Sequence, residues 1–87
     1  MVVSADFVNR SAIRTVCVVG LTTNLRWADA PGNVLISAGV AGLSQESVAN
    51  VTQLQTIERS DLDDKVGKLP RQKMRDVDAG LRRVLDL

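Results

Sequence analysis

Thr15-Val16-Cys17-Val18-Val19-Gly20-Leu21-Thr22-Thr23-Asn24-Leu25 is an apolar run that ends in hydroxyls. Six of the seven residues from Val16 to Thr22 are apolar or glycine and three are valine, the composition of a strand buried on both faces. Such a strand belongs at the centre of a core. Where it stops, Thr22, Thr23 and Asn24 set three short hydrogen-bonding side chains in a row, just ahead of the cation and aromatic ring of Arg26-Trp27. That rim is the first place to look for chemistry.

On its N-terminal side, Met1-Val2-Val3-Ser4 is apolar from the first residue and reads as a strand whose start has been cut away. Ala5 to Arg14 is polar, a loop or short helical turn between two strands. On the C-terminal side, Ala30-Pro31-Gly32-Asn33 is a turn signal, because proline sets φ while glycine and asparagine tolerate positive φ. Val34-Leu35-Ile36 reads as a short strand, Gly39 and Gly42 break the chain, and Ser47 to Ile57 alternates well enough for a further strand. Ser60-Asp61-Leu62-Asp63 looks like a capped helical turn, and Lys65 to Leu69 like a last short strand with Gly67 at a bulge or bend. From about Pro70 to Leu85, Met74, Val77, Leu81, Val84 and Leu85 share one helical face, with Arg75, Asp76, Asp78 and Arg82 outward. Gly80 costs that helix about 1 kcal/mol, so it needs tertiary contacts to persist. Five short strands and a late helix predict a mainly β protein with α, a small, partly open β-barrel with helices outside it, in one domain over residues 1–87.

The 87 residues bury only about 60% of the surface that the unfolded chain exposes. Apolar residues make up 45% of the chain, yet Phe7 and Trp27 are its only aromatics, so the core is aliphatic and favours association with a second copy. Eleven basic and ten acidic residues give a net charge of +1, which makes no bulk electrostatic case for nucleic acid; a polyanion site must come from local clustering. Cys17, alone and inside the apolar strand, excludes an intrachain disulfide and reads as a buried, inert thiol. With no stretch of 18 apolar residues and no cleavable leader, the chain reads as soluble and cytoplasmic, without a membrane partner.

The chemistry on offer is narrow. With no histidine, no cysteine pair and no acidic cluster of useful spacing, zinc, thiol and serine-triad mechanisms find no support, and no metal or cofactor is expected. Asp61, Asp63 and Asp64 read as a helix N-terminus and solvated face. Gly39 and Gly42 lack the lysine and the strand-to-helix frame of a phosphate loop. What remains is polar groups at strand rims: Thr22, Thr23, Asn24 and Gln53 converge if their strands are neighbours, with Arg10, Arg14 and Arg26 as candidate cations nearby. A hydroxyl and an amide near arginines suit RNA cleavage by the neighbouring 2′-hydroxyl, where charge builds on nonbridging phosphate oxygens. The same threonines also suit a plain strand end. Trp27 fits either a base-stacking platform or an interface anchor.

The order of residues adds to this reading. Val2-Val3-Ser4-Ala5-Asp6, Asn9-Arg10-Ser11, Leu21-Thr22-Thr23-Asn24-Leu25-Arg26 with Ala28-Asp29-Ala30-Pro31-Gly32-Asn33-Val34, Gly42-Leu43 with Ser47-Val48-Ala49-Asn50-Val51-Thr52-Gln53, Val66-Gly67-Lys68-Leu69, and Met74 to Leu87 resemble, in order, the MazF/PemK family of toxin endoribonucleases. The resemblance implies a small SH3-like barrel of the MazF/CcdB type and a homodimer. It further implies a cognate antitoxin that wraps the dimer, and metal-independent cleavage of single-stranded RNA to a 2′,3′-cyclic phosphate. It puts Thr22 at the family's catalytic threonine and Gln53 and Ser47 near the RNA groove. Thr23 and Asn24 extend the same rim, and Arg26 joins them as an RNA-binding residue.

One part of the family pattern has no counterpart in these 87 residues: a first strand with Gly-Asp, a mobile loop, and an Arg-Pro pair whose arginine is the family's main catalytic cation. This departure sets up a rival expectation, a truncated, catalytically inactive toxin that serves as an antitoxin-binding or dimerisation module. It also leads us to expect edge-mediated association, since a strand without its partner exposes amides and carbonyls. Gyrase poisoning, as by toxins of the same barrel fold, is disfavoured because those use an aromatic near the C-terminus, where this chain has Val84-Leu85-Asp86-Leu87.

Overall fold

The computed structural model describes residues 1–62 and 67–87. Three strands form an antiparallel sheet: β1 (Thr15–Thr22), β2 (Val34–Ile36) and β3 (Ser47–Glu58), in the order β1-β3-β2. A four-residue helix, α1 (Asp6–Asn9), precedes β1, and a long helix, α2 (Arg71–Leu85), closes the chain. The sheet is not closed. The arrangement is the barrel-like one expected, with fewer strands among the described residues than the sequence pattern suggested.

The expected first strand is reduced to a single bridge, Val2 opposite Val18. The Val3 amide donates to the Cys17 carbonyl (2.9 Å) and the Val19 amide to the Met1 carbonyl (2.7 Å), so residues 1–3 still run along the free side of β1. Of the expected strand over Lys65–Leu69, Lys65 and Val66 lie outside the described residues, and 67–69 have no regular structure. Asp63, read as part of a capped turn, and Asp64 also lie outside them. The described portion of that turn is a 3-10 turn over Arg59–Asp61, entered from Glu58 with no side-chain cap.

The middle strand is β3, not β1. Its first half is buried on both faces, with Val48, Ala49 and Val51 closed off from solvent, because β1 and β2 flank it and α2 lies across it. Its second half is exposed. Along β1, Val16, Val18 and Val19 are buried as the apolar run predicts, whereas Cys17 is only half-buried and Leu21 is exposed.

The β1–β3 ladder runs in register from Thr15 opposite Glu58 to Val19 opposite Leu54, then resumes with Gly20 opposite Asn50 and ends with Thr22 opposite Val48. Val51, Thr52 and Gln53 are therefore looped out of the pairing between Val19 and Gly20. An irregularity of this kind bends its strand and re-aims side chains. The period-two alternation in the sequence gives no hint of it.

The core joins Val19, Val34, Ile36, Ala49 and Val51 of the sheet to Val77 of α2. Met74, Leu81 and Val84 flank Val77 on the apolar helix face, as their spacing predicts. Leu85, assigned to the same face, is 49% exposed in the last turn, where the chain leaves the sheet. The helix ends at Asp86 in the left-handed conformation (φ 59°), and the Leu87 amide returns to the Arg82 carbonyl at 2.9 Å. Lys73 Nζ ties α2 to the sheet through the Leu35 carbonyl (3.2 Å). No helix among the described residues is long and apolar enough to cross a membrane.

Candidate functional site

The end of β1 carries the rim that the sequence singled out. Thr22 is half-buried, and its Oγ1 accepts the amide of Asn24 at 3.1 Å. Asn24 repeats the device one step on: its Oδ1 accepts the Arg26 amide (3.4 Å) and so caps the 3-10 turn over Leu25–Asp29. Short polar side chains thus fold the rim by bonding backbone two residues ahead. With the Asn24 N–H on one lone pair, the Thr22 O–H remains available to donate.

Gln53 joins this rim through glycine. A Cβ at Gly20 would overlap Gln53 Oε1 and lie 3.2 Å from Gln53 Cβ, so the glutamine side chain occupies the space that a residue at position 20 would fill. Positions 20 and 22 project from the same face of β1, about 7 Å apart. Gln53 and Thr22 therefore face the same space, brought together by the looped-out segment of β3. Thr23, Asn24 and Arg26 are exposed beside them, and the Arg26 guanidinium carbon lies 5.2 Å from the centre of the Trp27 ring.

Three of the expected residues are placed differently. Ser47 is 5% exposed, and its hydroxyl donates to the Gln45 carbonyl (3.0 Å), so it secures the start of β3 and offers no free donor. Arg10 and Arg14 do not approach Thr22. They precede β1, whose eight residues hold its two ends about 23 Å apart. Of the three arginines named from the sequence, only Arg26 stands at the hydroxyl end.

Asn33 is a residue that sequence reasoning missed. Read as a turn former, it also holds the rim to the sheet. Its Nδ2 donates to the Trp27 carbonyl (2.8 Å) and to Asn50 Oδ1 (3.2 Å), while its Oδ1 accepts the Val51 amide (3.0 Å). Asn50 Oδ1 also accepts the Thr52 hydroxyl (3.1 Å). β2 begins at Val34, opposite Ala49, so beyond its start the Asn33 side chain takes the place of a strand for the Val51 amide. No local pattern signals this, since two of its three partners, Asn50 and Val51, are distant in sequence.

Among the described residues, no group of three or more His, Cys, Asp or Glu is placed to hold a metal ion. The arrangement presents hydroxyl and amide donors with one exposed guanidinium on an open face. Such a set can bind phosphate and stabilise charge growing on its oxygens.

Comparison with known proteins bears on the family and the fold. The model of a family described as PemK-like, MazF-like toxins of type II toxin-antitoxin systems matches residues 1–85. Endoribonuclease MazF6 of Mycobacterium tuberculosis (strain ATCC 25618 / H37Rv) is 44% identical over 87 residues, which is all of this chain and 76% of that protein. Endoribonuclease MazF2 of Mycobacterium bovis (strain ATCC BAA-935 / AF2122/97) gives the same figures. Among solved structures, Mycobacterium tuberculosis toxin MazF-mt6 superposes with a TM-score of 0.87 at 25% identity, covering 100% of this chain and 84% of that one. A mycobacterial endoribonuclease in complex with its cognate antitoxin superposes at 0.85 with 24% identity, covering 100% of this chain and 79% of that one, a likeness of fold.

Proposed function

The chain belongs to the PemK-like, MazF-like toxin family of type II toxin-antitoxin systems, and on that footing we propose that it is an endoribonuclease that cleaves single-stranded RNA without a metal. The observation that carries this reading is the Thr22 hydroxyl, which accepts the Asn24 amide at the end of β1 on the strand face where Gln53 packs against Gly20. In the reaction the 2′-oxygen of the substrate attacks phosphorus and the bond to the 5′-oxygen breaks. Solvent water takes the proton of the 2′-hydroxyl and returns one to the 5′-oxygen, Thr22, Gln53 and Arg26 serving as donors and charge, and the products are a 2′,3′-cyclic phosphate and a 5′-hydroxyl.

Thr22 donates to a nonbridging oxygen, whose negative charge grows toward the transition state. A donor in this position lowers the barrier more than it tightens substrate binding. Gln53 offers its amide on the same face, and Arg26 adds positive charge at the rim. Thr23 and Asn24 line the approach. Removing one such donor costs about 3 kcal/mol of transition-state stabilisation, a rate loss of about 100-fold.

The test is cleavage of single-stranded RNA by the 87-residue chain and by Thr22→Ala, both in excess EDTA, with the ends analysed for cyclic phosphate. The expected result is cleavage by the parent and a loss of about two orders of magnitude in the variant. Equal rates for the two proteins, or activity that EDTA abolishes, would overturn the mechanism.

A second reading has its own observation. Leu35 and Trp27 are exposed near the end of the sheet that bears Thr22, Leu35 on the face of Thr22 because both stand opposite Val48, apolar surface of the kind that partners cover. We infer that the toxin forms a homodimer and binds a cognate antitoxin on this side. Without cleavage, such binding would be its function. Capture of an acidic antitoxin segment by a chain that leaves RNA intact separates this reading from the nuclease.

A further inference from the structure

Trp27 stands on the rim without a role in the reaction just described, and the structure gives it unusual support. Its ring is 43% exposed although it is the chain's only tryptophan. The ring rides on a 3-10 turn whose entry is capped by Asn24. Its carbonyl accepts two hydrogen bonds, from the Ala30 amide (3.1 Å) within the loop and from Asn33 Nδ2 (2.8 Å). The second bond is the one that leads back to the sheet, because the same asparagine binds Asn50 Oδ1 and the Val51 amide. A loop of this length is mobile by default; here the backbone under the exposed ring is fastened to β3.

A ring held in this way is pre-organised, and binding to it forfeits less conformational entropy. Its surroundings select the ligand. Arg26 lies over the ring, Thr23 and Asn24 are exposed beside it, and Thr22 is five residues back in the chain, at most about 17 Å away even if that segment were fully extended. A guanidinium over one face of the ring suits the negatively charged phosphate flanking a base that stacks on the other.

We propose that Trp27 is a stacking platform for one nucleobase of the RNA substrate, and that Asn33 is the positioning residue that holds it. This rests on the nuclease reading of the same rim. The platform binds RNA next to the reacting phosphate and takes no part in the bond changes, so its loss raises KM and leaves kcat unchanged. Stacking tolerates any base, so the platform contributes affinity and register with little sequence preference.

The experiment uses a mixed-sequence 2′-O-methyl oligoribonucleotide, which cannot be cleaved because its 2′-oxygen is blocked. Emission from Trp27, the sole tryptophan, reports the site directly. Titration should quench it. Trp27→Ala should weaken binding of the oligonucleotide about tenfold, and Trp27→Phe should restore most of the loss. Asn33→Asp keeps the acceptor for the Val51 amide and removes both donors. It should lower the fluorescence anisotropy of Trp27 in the free protein and raise KM for cleavable RNA at constant kcat, with the KM effect persisting in high salt.

Saturation without quenching, or unchanged affinity in Trp27→Ala, overturns the proposal. If Trp27→Ala instead binds RNA normally and loses an acidic antitoxin peptide, the ring is a protein anchor and the proposal is likewise wrong. Should Thr22→Ala cleave like the parent while the oligonucleotide still quenches Trp27, the nuclease mechanism falls and the platform stands.

Discussion

Gly80 of α2 lies directly against the backbone of Gly32, so closely that a Cβ on Gly80 would overlap the Gly32 carbonyl oxygen. Gly32 has φ +80°, and a Cβ there would in turn meet the Gly80 carbonyl at 2.9 Å. Two glycines, one in the turn before β2 and one inside a helix, let the two backbones touch.

This contact reverses the usual expectation for a helical glycine. On propensity alone, Gly80→Ala should stabilise α2 by about 1 kcal/mol. Here the obstacle is backbone, which cannot rotate aside, so the helix must move away from the Val77 contact. Overpacking of this kind costs about 1–3 kcal/mol. We expect a net loss of up to about 2 kcal/mol, read as a lower urea midpoint at unchanged slope. Ala79→Gly, at an exposed neighbouring position, should lose about 1 kcal/mol from propensity alone. A raised midpoint for Gly80→Ala would show that the two backbones are not in contact.

Arg59 is the fastener at the other end of the sheet. Its guanidinium donates to the carbonyls of Ile13 (2.9 Å), Val8 (3.4 Å) and Ser11 (3.5 Å), and its own amide to the Arg14 carbonyl (2.7 Å). A single planar fork thus gathers three carbonyls of the segment that leads into β1. Arg59→Met keeps the aliphatic stem and removes the donors, and should cost about 2 kcal/mol. Arg59→Lys should recover only part of this, because an ammonium does not match the geometry of the fork. Amide exchange over residues 5–14 should quicken in both variants, while the binding of 2′-O-methyl RNA at the far end of β1 stays as it was. Unchanged exchange in Arg59→Met would show that the segment is held by other means.

The contrast between these residues explains what the sequence made legible. The apolar run of β1, the Pro31-Gly32 turn and the spacing of Met74, Val77, Leu81 and Val84 are local patterns, and each forms the element it suggests. Family resemblance picked out Thr22 among three short polar side chains, a choice that composition could not make. The roles of Asn33, Gly80 and Arg59 depend on partners far along the chain, so no window of sequence contains them. The segment Val51–Gln53 is the clearest case. Its alternation reads as ordinary strand, and only pairing with β1 at both ends shows that three residues are left over. The same irregularity carries Gln53 to the face of Thr22, so the feature hardest to read is one that assembles the candidate site.

Gly20 tests that assembly without touching a reacting group. Its φ is not in the left-handed region, so alanine is conformationally acceptable there, and the reduced freedom of the unfolded chain favours Gly20→Ala by about 0.4–1 kcal/mol. Against this stands the overlap of the new methyl with Gln53 Oε1, the far end of an exposed, flexible side chain that can swing away. The two effects leave stability within about 1 kcal/mol of the parent. The displaced glutamine, however, no longer faces the space beside Thr22. RNA cleavage by Gly20→Ala should therefore fall to the level of Gln53→Ala, and the double variant should be no worse than either single one, because both remove the same contact. Additive losses in the double variant would mean that Gly20 acts on catalysis by a route other than Gln53. Full activity in all three would remove Gln53 from the site.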